Sequence, residues 1–131
     1  MIQRIVFGFL LFLLSSTIQR KNPVLARSYT SNLAYNRVVI ATVKAATESG
    51  YIVLKMNREK NLTQGFNALK SGKKTKTSLE VAFGRTGKQT TFLVTLSENR
   101  PNREVTKSLA VEADSLGFQF KKVLPDVMES K

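Results

Sequence analysis

Between Ser78 and Ser97, apolar and other residues alternate on both sides of a glycine-containing turn, the pattern of an antiparallel hairpin with one buried face. Along SLEVAFG, Leu79, Val81 and Phe83 point one way and Ser78, Glu80 and Ala82 the other. Arg85-Thr86-Gly87-Lys88 turns the chain, and TTFLVTLS returns with Phe92, Val94 and Leu96 on the matching side. Upstream, Tyr51 to Arg58 (YIVLKMNR) reads as a strand with Ile52, Leu54 and Met56 on one face and Tyr51, Val53 and Lys55 on the other. Lys60-Asn61 turns it, since Asn tolerates positive φ. Thr63 to Lys70 then returns with Phe66 and Ala68 inward, and Gly65 marks a bulge or a close backbone approach.

Helical spacing flanks these strands. In NRVVIATVKAATESG, Tyr35, Val39, Val43 and Ala46 fall on one helical face, and Gly50 stands where a left-handed C-terminal cap is wanted. The β-branched Val38-Val39-Ile40 leaves a strand open there, but Ala41, Ala45 and Ala46 carry the segment past strand length. Near the C-terminus, Asn102 is a suitable N-cap and Glu104 suits the first turn of a second helix. Val105, Leu109, Ala113, Leu116 and Phe120 line its face; Gly117 is a candidate early stop, leaving Phe118 to Leu124 as a short final segment. The expected fold is α+β in the order α-β-β-β-β-α, a four-stranded antiparallel sheet with both helices on one face and the other face solvated.

The N-terminus carries an address. Ile5 to Leu14 (IVFGFLLFLL) is apolar between Arg4 and Arg20 and stops at Ser15-Ser16-Thr17, as a secretory signal does. A bilayer span needs about 20 apolar residues, which this run does not reach. Val24-Leu25-Ala26 offers a cleavage site before Arg27, and a cut after Thr17 is the alternative. Retention as an anchor is the competing reading, and a mitochondrial transit peptide a third, because no Asp or Glu precedes Glu48. Transit peptides are amphipathic, whereas Ile5 to Leu14 is apolar all round, so export is the reading adopted. The expected organisation is a signal segment over 1–26, a polar linker without period over 27–34, one domain over 35–124 and a tail over 125–131. Localisation is then periplasmic or secreted, with membrane anchoring as the alternative.

Composition removes several chemistries. The chain has no Cys, so no disulfide supports it and no thiol serves as nucleophile, metal ligand or lipid attachment point. It has no His, which removes the Ser-His-Asp triad and the commonest zinc and copper ligand. Neither a catalytic residue, a metal site nor a cofactor is expected. The net charge is +12, and from Arg27 onward 18 basic against 9 acidic side chains leave +9. Such a charge gathers anions, whether nucleic acid, anionic lipid, lipopolysaccharide or an acidic partner.

Two Gly-Lys pairs, Gly72-Lys73 and Gly87-Lys88, lack the upstream glycine and the following Ser or Thr of a phosphate loop, and read as turns. The candidate anion-binding residues are Lys73, Lys74 and Lys76 in the loop after Lys70, with Arg85 and Lys88 at the hairpin turn. A seven-residue strand between loop and turn holds these groups more than about 20 Å apart, so a diffuse basic face is expected rather than one compact site. Among the carboxylates, Glu80 faces outward. Glu112 and Asp114 are two apart on a helix and do not face one another; they read as solvated charges beside Lys107 and Lys121. Asn61-Leu62-Thr63 fits a glycosylation sequon, meaningful only in a eukaryotic source.

The stretch Asn36 to Gly65 (NRVVIATVKAATESGYIVLKMNREKNLTQG) resembles a pattern of small bacterial envelope proteins: a helix ending at Gly plus an aromatic residue, a strand, a turn and a second strand carrying Gly. It is similar to the helix-grip-type (α-β4-α) domains of accessory lipoproteins of outer-membrane assembly, including the lipoprotein partner of the barrel assembly machine. The chain departs from them in lacking the lipid-bearing cysteine. The resemblance implies a non-enzymatic binding or assembly module whose partner is another envelope protein or an anionic envelope component. A membrane surface and, behind it, nucleic acid are the further partner classes. Binding of a polyanion through the basic residues is the alternative function.

Overall fold

The computed structural model describes residues 24–72, 76–98 and 105–130. In chain order these form β1 (Val24–Ser31), α1 (Tyr35–Glu48), β2 (Ile52–Glu59), β3 (Leu62–Ser71), β4 (Lys76–Thr86), β5 (Gln89–Glu98), α2 (Val105–Val123) and β6 (Met128–Ser130). The strands make one antiparallel sheet in the order β2-β3-β4-β5-β1-β6.

The sheet corrects the expected four strands and the order α-β-β-β-β-α: one strand precedes the first helix and another follows the second. β1 occupies residues read as the end of the signal and the linker, and pairs with β5 from Val24↔Ser97 to Ser31↔Thr90. Its inward side explains why hydropathy does not mark it. Leu25, Arg27, Tyr29 and Ser31 face the helices, and the two polar ones find partners there. Arg27 Nη1 donates to Asp114 Oδ1 at 2.6 Å, and Ser31 Oγ donates to Asp126 Oδ1 at 2.9 Å. β6, in the segment read as a tail, pairs three residues with Ser28–Thr30 of β1. Residues 1–23, which hold the expected signal, lie outside the described residues. Val24, Leu25 and Ala26, expected just before the cleavage point, pair with Ser97, Leu96 and Thr95.

The core lies between the sheet and the two helices. Phe66, Ala68, Leu79, Val81, Phe92, Val94 and Leu96 from the sheet meet Val38, Ala45 and Ala46 of α1 and Leu109, Ala113, Leu116 and Phe120 of α2. At its centre Tyr29 stacks on Phe92 with centroids 5.2 Å apart, and Phe120 meets both rings edge-on. No helix among the described residues is long and apolar enough to cross a membrane.

α1 ends as its glycine requires. Gly50 has φ +96°, its N–H bonds Thr47 O at 3.1 Å, and the Tyr51 N–H reaches back to Ala46 O at 3.0 Å. This double closure aims β2 back along the sheet and buries Tyr51. Within β2 the expected faces change. The register shifts between Val53 and Lys55, so Val53 and Met56 turn inward while Ile52 and Leu54 stay exposed. α2 runs through Gly117 to Val123, since nothing in its own turns stops it. Asn102 and Glu104 lie outside the described residues.

Candidate functional site

Among the described candidates for anion binding, Lys76 lies at the opposite end of β4 from Arg85 and Lys88. Lys73 and Lys74 lie outside the described residues. Lys76 opens β4 and Arg85 stands near its far end, nine positions on, roughly 30 Å at strand rise. Lys88 follows Gly87 in the β4–β5 turn. The Arg85 guanidinium faces the helix side and lies 5.7 Å from the Tyr35 ring centroid, at the start of α1. Burial raises the Tyr35 phenol above its ordinary value, and this guanidinium partly opposes the shift.

The carboxylates sort differently from the sequence reading. Two positions apart on α2 point about 200° apart around the axis, so Glu112 and Asp114 reach opposite flanks of the helix, and each meets a cation from the sheet. Lys70 Nζ donates to Glu112 Oε1 at 2.9 Å, and Arg27 holds Asp114, with Glu129 Oε1 3.8 Å away on its other side. Both are ion-paired ties between α2 and the sheet, and Asp114 remains 70% exposed in a cleft it shares with Lys121. The hydrogen bond to Asp114 raises the Arg27 guanidinium further above its ordinary value. Burial, reinforced by Glu129, raises the Tyr29 phenol. Glu80 sits on the open sheet face in the cross-strand row Lys55, Asn67, Glu80, Thr95 and Ala26, which contains no second acid.

With those acids engaged, the helix layer presents cations. Arg37 and Lys44 of α1 and Lys107, Lys121 and Lys122 of α2 are exposed, and none has an ion-pair partner among the described residues. Three of them border one cleft of about 400 Å³, where α1 runs past the last turn of α2. Arg37, Ile40, Ala41 and Lys44 lie at i, i+3, i+4 and i+7, one stripe of α1. Lys122, Val123 and Leu124 form the opposite wall, and Leu33 closes the end. Among the described residues, no carboxylate lines the cleft. Asp126, two residues past Leu124, directs its oxygens to Ser31 and to the Asn32 N–H. Lys122 Nζ lies 4.8 Å from the ring of Phe118, one turn earlier. Sequence reasoning missed this cleft because its cations come from two helices 78 residues apart, Lys44 to Lys122; the signal available was the repeated basic position on the exposed stripe of α1.

A second cleft, of about 470 Å³, lies on the other flank of α2 between Phe118, Lys121 and the β1–β6 strands. Its base holds the Arg27–Asp114 pair with Glu129 beside it, so two carboxylates stand against the cation Lys121 on its rim.

No family model matches the chain, and no curated protein matches it. Among solved structures it is similar to the crystal structure of Ara h 8.0201, at 9% identity and a TM-score of 0.50, over 77% of this chain and 96% of that one. TTHA0849 from Thermus thermophilus aligns over the same shares at 11% identity with a TM-score of 0.46. The likeness to Ara h 8.0201 is one of fold alone.

Proposed function

We propose that the protein is an exported, non-enzymatic binding module of the cell envelope that recognises an anionic component through its helix layer. The observation that carries this reading is the cleft where Arg37, Lys44 and Lys122 surround an apolar floor with no acid among the described residues that line it. Export rests on the apolar run Ile5 to Leu14 and its polar exit. Unpaired cations on one face attract an anion with a strength that falls as salt screens them.

The test is retention on immobilised heparin, read as the salt concentration that elutes the protein. Arg37→Gln/Lys44→Gln/Lys122→Gln should elute at clearly lower salt than Lys55→Gln/Lys60→Gln/Lys88→Gln, which removes the same charge from exposed sites elsewhere. Equal losses would mean that overall charge, not this face, holds the anion.

A protein partner is the second reading, favoured by the open sheet face. Ile52 and Leu54 on edge strand β2 are 70% and 64% exposed, and Leu93 stands uncovered near the sheet centre. A partner held there would lose little affinity as salt rises.

A further inference from the structure

The helix-layer cleft has two components, and anion binding accounts for only one of them. Ile40 stands on α1 between Arg37 and Lys44 and is 68% exposed; Phe118, which borders the second cleft on the other flank of α2, is 60% exposed and adjoins this one through Lys122, whose Nζ lies 4.8 Å from its ring. Leu33, Ala41 and Val123 extend the apolar surface between the cations. A nucleic acid or a soluble polysaccharide would contact the charges and gain nothing from Ile40. A bilayer surface uses both: basic side chains meet headgroup phosphates while neighbouring apolar side chains enter the acyl boundary. Long Lys and Arg stems suit that boundary, because their methylenes lie along the apolar layer and their charges return to the headgroups.

We infer that this face docks on an anionic bilayer, with Arg37, Lys44 and Lys122 on lipid phosphates and Ile40 and Phe118 inserted at the interface. The inference rests on the anion-binding reading and narrows it to one partner. Charge complementarity selects the occupant: among the described residues three cations and no carboxylate line the α1–α2 cleft, and Asp114 and Glu129, which border Phe118 on its other side, are paired with Arg27, while the open sheet face carries an acid, Glu80, beside Leu54, Asn67 and Thr95. Both inserted side chains sit on regular helices whose opposite faces are fixed in the core by Val38, Ala45, Leu116 and Phe120. The surface is therefore preformed, and docking needs no rearrangement of the fold.

The chain has no Trp, so Phe118→Trp installs a single reporter at the proposed interface. Mixed with vesicles of phosphatidylglycerol and phosphatidylcholine, this variant should show a blue-shifted emission, and with pure phosphatidylcholine no shift. In a vesicle co-sedimentation assay, Arg37→Gln/Lys44→Gln/Lys122→Gln should bind the anionic vesicles about a hundredfold more weakly, as expected for three interfacial cations. Ile40→Ser/Phe118→Ser should bind the vesicles at least about tenfold more weakly while eluting from heparin at the unaltered salt concentration. Circular dichroism of both variants confirms that the fold is retained, since all five side chains are exposed. Heparin retention that depends on the three cations, without vesicle binding, would overturn the bilayer inference and leave the anion-binding reading standing. Vesicle binding indifferent to Ile40 and Phe118 would also overturn it, and loss of both activities in the wild type would remove both readings.

Discussion

The Tyr51 hydroxyl donates to Glu112 Oε1 at 3.0 Å, and the same oxygen accepts from Lys70 Nζ at 2.9 Å. Three elements meet on this one atom: the residue that leaves the α1 cap, the end of β3 and the middle of α2. Lys70 also lies 5.6 Å from the Tyr51 ring centroid, so the cation, the ring and the carboxylate form a closed set at the edge of the core.

Removing the carboxylate leaves a buried hydroxyl and a half-buried ammonium without their acceptor. Glu112→Ala should therefore destabilise the fold by about 2 kcal/mol, and Tyr51→Phe, which removes only the donor, by about 1 kcal/mol. Urea unfolding followed by circular dichroism measures both. A smaller loss for Glu112→Ala than for Tyr51→Phe would show that water replaces the carboxylate at no cost.

All three tyrosines of the chain are shifted the same way. Burial first, then the nearby carboxylates Glu112 and Glu98, raise the Tyr51 phenol; burial dominates for Tyr29 and Tyr35 as well. The folded state thus holds these protons more tightly than the unfolded chain, whose phenols titrate near about 10. The stabilisation is complete below that pH and is lost as the pH rises above it. Titration by phenolate absorbance should show delayed ionisation in the native protein and ordinary ionisation in denaturant. A native titration matching the denatured one would contradict the burial of these rings.

Gly65 faces the β4 backbone so closely that a Cβ there would lie 2.5 Å from the Val81 carbonyl oxygen. Backbone must move to admit it, so Gly65→Ala should cost about 3 kcal/mol, at the upper end of ordinary single substitutions. Thermal unfolding tests this, with Ala82→Gly on the paired strand as a substitution that creates no clash.

Gly117 offers a finer test. Alanine is ordinarily favoured over glycine inside a helix by about 1 kcal/mol. Here its Cβ would meet the Tyr29 hydroxyl at 3.1 Å, and that ring is held by Phe92 and Phe120. Gly117→Ala alone should gain nothing, whereas in a Tyr29→Phe background it should recover most of the helical gain. Additive effects of the two substitutions would refute the contact.

The placement of β1 bears on where a signal is cut. A chain starting at Arg27 lacks Val24, Leu25 and Ala26, hence three of the eight β1–β5 pairs and the half-buried Leu25 side chain. It should be less stable than one starting at Ile18 by about 1–2 kcal/mol. N-terminal sequencing of the protein from fractionated source cells decides the matter: a start near Ile18 keeps the strand, and an intact Met1 in the membrane fraction means that the apolar run is retained.

Local pattern was sufficient where one face of an element is apolar and the other is not. The hairpin around Gly87, the β2–β3 pair with Lys60 at φ +52° and Asn61 at +66°, the Gly50 cap and the Leu109–Phe120 stripe were all legible for that reason. β1 was not, because two of its four inward residues are polar and their partners lie 87 and 95 residues away. The turned faces of β2 follow from a bulge that only pairing with β3 creates.

The same division holds for the site. Residue types alone determined that no thiol or imidazole chemistry is available to this chain, that its charge is strongly positive, and that helices and antiparallel strands build its core. Tertiary structure decided which charges remain free. Folding brings Asp114 to Arg27 and Glu112 to Lys70, and so leaves Arg37, Lys44 and Lys122 without an ion-pair partner among the described residues around exposed Ile40. Net charge is a sum over the sequence, but a binding face depends on which charges share a surface, and that is set by contacts between residues far apart in the chain.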